Sequence, residues 1–286
     1  MTRVKPPPLL AATISGHIPA TSSEPRRMPQ AHIGTSGWTY DEWRDGLYAG
    51  VRRKDWLAHY ASVLDAVEVN GTFYHLLPRT TFEHWRRGTP PDFCFTVKSN
   101  RYLTHIRRLA FRRADLTRER DTVSALGNKL VAMLWQLPAG LARDDDLLER
   151  FAERLSAWKT TRHAVEFRNA SWFCEEVAAR LSAHRIAVVQ SDAADWPMWN
   201  AVTTDLVYVR LHGHRATYSS AYGARGLAPW ARRIRAWLAE GRSVHAYFDN
   251  TASGHAVDDA LALHRMIEGT RSAAREPRLA RRKQLA

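Results

Sequence analysis

Glu68 and Asn70 stand two positions apart in V-E-V-N-G-T-F-Y (67–74), a stretch that otherwise reads as a β-strand. Alternate strand side chains share a face, so this carboxyl and amide point the same way, onto a face that is not ordinary apolar core. The spacing recurs in Glu166 with Arg168, Arg210 with His212, and Tyr247 with Asp249, each at the C-terminal end of a strand-like run; Lys98, Gln136 and Asp192 also close such runs. Carboxylates in a dry cleft act as general acids or bases, and imidazole titrates near neutrality. Glu68, Glu166 and His212 are therefore the candidate catalytic groups. Guanidinium and ammonium groups grip carboxylate or phosphate, which makes Lys98, Arg168 and Arg210 candidate anion holders. Asn70, His105, Asp249 and Asn250 complete the polar ligand set. Trp38 and Tyr74, with Tyr40, Tyr102, Trp172 and Trp196, fall on or just after strand ends and offer flat faces to a ring. Together these groups read as an enzyme doing acid/base chemistry on a small phosphate- or carboxylate-bearing ligand of sugar- or nucleotide-like form. The bland alternative is a structural ion-pair network with loop-packing aromatics.

Two other functions compete. Glu68, Glu166, Asp192 and His212 are suitable ligand types for Mg²⁺, Mn²⁺ or Zn²⁺ in a metal-dependent hydrolase or isomerase, although Arg168 and Arg210 share those faces and repel a dication. A non-catalytic nucleic-acid-binding protein is the reading from another class. Seven arginines (Arg101, Arg107, Arg108, Arg112, Arg113, Arg118, Arg120) face only Asp115 and Glu119 over residues 101–120, a stretch that could hold a phosphate backbone by charge or form a solvated helix face. There is no nucleotide-binding G-x-x-x-x-G-K-[ST], no G-x-G-x-x-G, no G-x-S-x-G and no H-E-x-x-H. The cofactor is unknown on this reading, and no metal ligand is assigned.

The elements that must position these groups alternate in kind. Eight β-branched or aromatic runs fall at 32–36, 66–73, 93–99, 130–137, 163–168, 187–192, 206–212 and 244–250. Helical patterns lie between most of them, at 54–64, 81–87, 116–126, 145–158, 173–184, 229–240 and 253–267. The sixth connection, 193–205, is short and holds Pro197, so no proper helix is expected there. Eight strands alternating with helices over about 240 residues fit an α/β fold of the TIM-type (β/α)8 barrel kind; a doubly wound open sheet is the runner-up. Polar groups at so many strand ends favour the barrel, whose site is built at the C-terminal mouth. An anion site is expected between the seventh and eighth strands, from Arg210, the Gly223-Ala224-Arg225-Gly226 loop and residues 250–254 leading into the last helix.

The 286 residues, 45% hydrophobic and 25% charged, have ordinary globular composition. Of the net charge of +13, residues 1–30 carry +3 and residues 271–286 carry +5, leaving +5 on 31–270. Both ends read as disordered basic tails flanking one barrel domain, 31–270, and as a further possible anchor for nucleic acid. Met28, four residues before the first strand run, is a candidate natural start. Two cysteines, Cys94 and Cys174, form no disulfide framework. The longest apolar runs, such as 130–135, fall far short of the roughly 20 residues of a membrane span. The expected setting is the cytoplasm, with no membrane partner.

The chain resembles the YecE-like family (domain of unknown function 72) in I-G-T-S-G-W (33–38) with Tyr40 and Trp43, V-E-V-N-G-T-F-Y (67–74) with Pro78, F-C-F-T-V-K (93–98), Thr104-His105, E-F-R (166–168) with Ser171-Trp172, Y-V-R-L-H-G (208–213) and Y-F-D-N (247–250). These pieces run in order through nearly all of residues 31–270. The resemblance implies a TIM-type barrel and carries no assigned reaction. Gly71 and Asp249 depart from it, standing where relatives more often have Ser and Asn.

Overall fold

Each strand-like run forms a strand, and the eight pair in parallel, in chain order, until β8 returns to β1. The computed structural model describes residues 29–268. Its strands are β1 (Ala31–Ser36), β2 (Ala66–Val69), β3 (Cys94–Lys98), β4 (Leu130–Gln136), β5 (Arg162–Glu166), β6 (Ile186–Ala193), β7 (Leu206–Gly213) and β8 (Ser243–Phe248). Its helices are α1 (Trp56–Val63), α2 (Gly71–Tyr74), α3 (Arg79–Arg87), α4 (Arg113–Val123), α5 (Asp145–Ser156), α6 (Glu175–Ala183), α7 (Gly223–Ala239) and α8 (His255–Glu268). The fold is a TIM-type (β/α)8 barrel. The crossover from β6 to β7 contains no helix, as Pro197 and the short connection predict. The basic tails and Met28 lie outside the described residues, apart from Pro29 and Gln30.

Strands covered on both faces read as nearly continuous apolar runs, and their two faces do different work. Ala66, Ala132, Leu134, Ala164, Ala187, Val189, Tyr208 and Tyr247 fill the barrel interior. Ile33, Val67, Val69, Phe95, Met133, Val165, Val188, Val207 and Ala246 belong to a second cluster that includes the helix residues Trp56, Phe82, Leu148, Leu181, Ile234 and Leu263. Gly34 is required where β1 meets β2, because a Cβ there would lie 1.9 Å from the Ala66 carbonyl oxygen. Beside that close approach the Tyr60 hydroxyl donates to the Ala66 carbonyl (3.0 Å) and accepts from the Thr35 N–H (2.9 Å).

Four boundaries that bear on the site differ from expectation. β2 stops at Val69, since Asn70 adopts helical φ −97° and ψ −20° and opens α2. Asn70 therefore does not share a strand face with Glu68. β5 and β8 stop at Glu166 and Phe248, leaving Arg168, Asp249 and Asn250 in the loops beyond. α7 starts at Gly223, well ahead of Pro229, because its first N–H groups are capped from outside: the Asp259 carboxylate of α8 accepts from Tyr222 N–H (3.0 Å) and Gly223 N–H (3.3 Å).

Candidate functional site

At the C-terminal ends of the strands the inward side chains change from apolar to charged, and they form two layers. The lower layer is centred on Arg210 of β7, which is fully buried. Its Nη2 and Nε donate to Glu68 Oε1 of β2 at 2.7 and 3.2 Å, Nε also lies 3.0 Å from Glu68 Oε2, and Nη1 donates to Glu166 Oε2 of β5 at 2.7 Å. Nη2 also donates to Asp249 Oδ2 at 3.0 Å. Hydroxyls complete the carboxylates' coordination: Ser36 (2.6 Å) and Tyr208 (2.7 Å) donate to Glu68, and Ser191 (3.0 Å) donates to Glu166. His212 lies 3.4 Å from Glu166 Oε1 and 3.0 Å from Asp249 Oδ2, the latter off the line of a hydrogen bond.

Burial alone would push the Glu166 carboxyl up, but the Arg210 and Arg168 guanidiniums outweigh it and hold the group well below the usual carboxylate range. Asp249 is depressed through the same balance of burial against Arg210 and His212. These acids stay charged at neutral pH, and Arg210 is held charged by them against its own burial.

The upper layer is a cavity of about 450 Å³ lined by Phe73, Tyr74, Lys98, Arg101, His105, Gln136, Pro138, Ala139, Arg168 and Tyr218. Every one of these residues lies at or after the C-terminal end of a strand. No carboxylate is among them. Lys98, the last residue of β3, places Nζ 4.0 Å from the centroid of the Phe73 ring. Burial, helped by the nearby Arg210 charge, brings its pKa down to about 8. Burial and the cations Lys98, Arg168 and Arg101 bring His105 down to about 4, so its imidazole is neutral. Arg168 joins the two layers: Nε donates to Glu166 Oε1 (3.2 Å), Nη1 donates to the Tyr218 hydroxyl (3.4 Å), and the guanidinium lies 4.0 Å from the Trp196 ring centroid.

The loop after β3 supplies Arg101 and His105 and is fastened from below. Buried Glu119 of α4 accepts from the Ser99 hydroxyl and the Asn100 N–H, each at 2.8 Å, and burial lifts its pKa to about 7. Residues Tyr102–Ile106 then form a π-helical turn, followed by Arg108 and Leu109 with positive φ of 45° and 68°. Tyr218, on the opposite wall, also has a positive φ, 66°. Non-glycine residues in such conformations carry strain and cluster at functional surfaces.

Of the residues singled out in the sequence, Tyr74, Lys98, His105 and Arg168 line the cavity, while Glu68, Glu166, His212, Arg210 and Asp249 lie among the groups of the lower network. Trp38 packs its ring against Trp85 in a T-shaped contact, 5.0 Å between centroids, instead of facing the cavity. Asn70 is not among the lining residues, and its Oδ1 is buried without a hydrogen-bond partner. Asp192 is turned to the helix side, accepting from the Trp230 indole N–H at 3.1 Å, so that Ser191 is the inward residue of β6.

The expected anion site between β7 and β8 is already filled by the chain itself. Arg210 is saturated by carboxylates, Gly223–Gly226 form the first turn of α7 instead of a loop, and Asp259 occupies the helix N-terminus. Asn250 serves that internal anion too, its Nδ2 lying 2.8 Å from Asp259 Oδ2 and 3.0 Å from the Ser220 carbonyl. Among the described residues no cluster of three or more His, Cys, Asp or Glu is arranged to hold a metal ion. From the Arg-rich segment 101–120 only Arg101 reaches the cavity; Arg112 and Arg120 pair with Asp115 and Asp121. Arg101 was visible in the sequence only as one of seven arginines in 101–120, and Tyr218, on the cavity wall as well, carried no signal beyond membership of a loop.

Residues 32–284 match the family model described as "Protein of unknown function DUF72". The chain belongs to the DUF72 family. The DUF72 chain is 23% identical over 278 residues to the UPF0759 protein YunF of Bacillus subtilis (strain 168), covering 83% of this chain and 94% of that one. A DUF72 family protein of Thermotoga maritima MSB8 superposes with a TM-score of 0.73 at 26% identity, over 84% of this chain and 99% of that one. A second, from Enterococcus faecalis V583, gives 0.73 at 20% identity over 84% and 96%. The latter similarity speaks to the fold alone. Among the described residues no helix is long and apolar enough to cross a membrane.

Proposed function

We propose that the DUF72 chain is an enzyme that holds a small anionic ligand in the cationic cavity and performs acid/base chemistry on it, with Lys98 and His105 as the groups facing the ligand and Glu68, Glu166 and His212 as the network that fixes the cavity floor. The observation that carries this reading is the lining itself: Lys98, Arg101 and Arg168 converge with no carboxylate among them. Of the three, Arg168 alone has an acid partner, Glu166 in the layer below (3.2 Å); Lys98 and Arg101 form no salt bridge among the described residues, and the recess is left with more cations than acids unless an anion completes it. Arg101 and Arg168 suit phosphate or carboxylate, and Tyr74 and Tyr218 offer ring faces beside them. A lysine whose pKa is brought down to about 8 supplies a titratable amine near working pH, and the neutral imidazole of His105 is a proton acceptor in the same cavity, weakened by burial and the surrounding cations.

Inorganic phosphate should raise the Tm of the wild-type chain, and Arg101→Ala should keep the starting Tm while losing at least half of that rise. Arg101 is exposed, so its removal leaves the fold alone. Equal phosphate stabilisation of both proteins would remove Arg101 from the site, and no stabilisation of either would sink the anion reading. Salt-sensitive binding of arbitrary single-stranded DNA, competing with phosphate, would instead support a nucleic-acid-binding surface.

A further inference from the structure

Six of the 42 lysines and arginines are lysines, four of them among the described residues, and two of those four are largely shielded from solvent by the barrel in opposite ways. Lys129 is locked: its Nζ donates to the Arg86 carbonyl (2.7 Å), the Thr89 carbonyl (2.7 Å) and the Thr89 hydroxyl (2.9 Å). Three donors meet three acceptors, and the ammonium is a structural bolt. Lys98 forms no salt bridge among the described residues; its Nζ faces the cavity across the Phe73 ring. Its backbone is rigid, set in β3 and held by the Thr72 hydroxyl, which donates to the Lys98 carbonyl at 2.7 Å. The amine is thus fixed at its root, free at its tip and open to a ligand.

An arginine here would grip an anion better but could never lose its proton. A lysine that shares its cavity with two guanidiniums has a different use: Arg101 and Arg168 hold the anionic end of the ligand, leaving the amine for its reactive end. We propose that Lys98 forms an imine with a carbonyl-bearing anion, such as a keto acid or a sugar phosphate with a free aldehyde or ketone. This rests on the anion-site reading above and goes beyond it in naming the reactive group of the ligand.

The neutral Nζ attacks the carbonyl carbon, forming the C–N bond as the C=O π pair moves to oxygen, which takes up a proton. The nitrogen gives one proton to His105, the neutral base on the same cavity wall. His105 returns it to the carbinolamine hydroxyl, which leaves as water while the nitrogen lone pair forms the C=N bond. The sum is amine, carbonyl and one proton giving iminium and water. The iminium then accepts the electron pair of a C–H or C–C bond broken at the adjacent carbon. The amine fraction this needs is available near neutrality, because burial and the Arg210 charge lower the Lys98 pKa to about 8 against the raising influence of Glu166, Asp249 and Glu68.

The test is reductive trapping on the full chain. Glyoxylate, dihydroxyacetone phosphate and pyridoxal 5′-phosphate are each incubated with the protein and sodium cyanoborohydride, and peptides are mapped by mass. With at least one probe, label on Lys98 should exceed that on the exposed Lys54 and Lys159 at least tenfold, and inorganic phosphate should suppress it. Lys98→Arg should lose the label at that peptide while keeping the phosphate-induced rise in Tm. If Lys98 labels no more than Lys54 and Lys159 with all three probes, in protein that still gains Tm from phosphate, the imine is excluded and the anion site stands. If phosphate neither raises Tm nor suppresses labelling, the anion reading falls; if Lys98 then also labels no more than Lys54 and Lys159, the imine falls with it. The wild-type labelling pattern decides the matter even if Lys98→Arg folds poorly.

Discussion

Two layers of charge lie one above the other at the same mouth, built from the same residue types, and they are managed in opposite ways. In the lower layer each cationic donor of Arg210 finds an oxygen: Glu68, Glu166 and Asp249 surround it, and Ser36, Tyr208 and Ser191 supply further donors to the carboxylates. In the upper layer Lys98, Arg101 and Arg168 line a cavity with no acid among its walls. Only Arg168 of these three has an acid partner, Glu166 from the layer below; a fully paired layer holds a shape, while one with surplus cations stores a demand for a partner. Three of the four non-glycine residues with positive φ among the described residues, Tyr218, Arg108 and Leu109, lie with the π-helical turn in loops after β3 and β7 that contribute to the upper layer; the fourth, Arg185, lies between α6 and β6.

The largest expected effect breaks the lower layer. Arg210→Met leaves up to three carboxylates buried without their central cation, and should cost about 3–5 kcal/mol in denaturant unfolding. A loss under about 1 kcal/mol would mean that the network does not hold the barrel mouth and would return Arg210 to the set of ligand-binding candidates.

Acid should dissolve the same layer next. Glu166 and Asp249 have folded pKa values below their ordinary 4.5 and 3.8, so the unfolded chain binds more protons in that range. Their stabilisation is complete above about pH 5 and is lost as pH falls through the ordinary values toward the folded ones. In Arg210→Met the depression disappears, so the stability gap to wild type should narrow between pH 7 and pH 4. Urea midpoints at both pH values check this, and a gap that stays constant would contradict the assignment.

The upper layer should respond with the opposite sign and a smaller size. Lys98 titrates at about 8 in the fold against an ordinary 10.5, so its charge opposes folding below pH 8, and that cost is relieved as pH rises from 8 to 10.5. Lys98→Met keeps an unbranched chain on the Phe73 ring and removes the charge. It should stabilise the protein by about 1 kcal/mol at pH 7 and by nearly nothing at pH 10.5. A destabilised Lys98→Met at pH 7 would place Lys98 in the compensated layer and erase the contrast.

The sequence by itself determined the barrel and which strand ends carry charge. Eight apolar runs alternating with helical patterns leave few other ways to bury both faces of a parallel sheet, and the parity of Glu68, Glu166 and Arg210 along their strands is a local property of backbone geometry. Tertiary structure decided which charges meet. Glu68 and Arg210 are separated by 142 residues and Arg210 and Glu166 by 44, and no pattern along the chain says that the guanidinium expected to hold a ligand is instead consumed by its own carboxylates. It also decided where strands end: Asn70 turned helical one residue too early to share the face of Glu68, and Ser191 took the inward place that Asp192 was expected to fill. The physical reason is range. Alternation and helical periodicity act over a few residues, whereas a buried charge is satisfied by whichever partner the closed barrel brings within about 3 Å, and the cavity that keeps more cations than acids marks the candidate site.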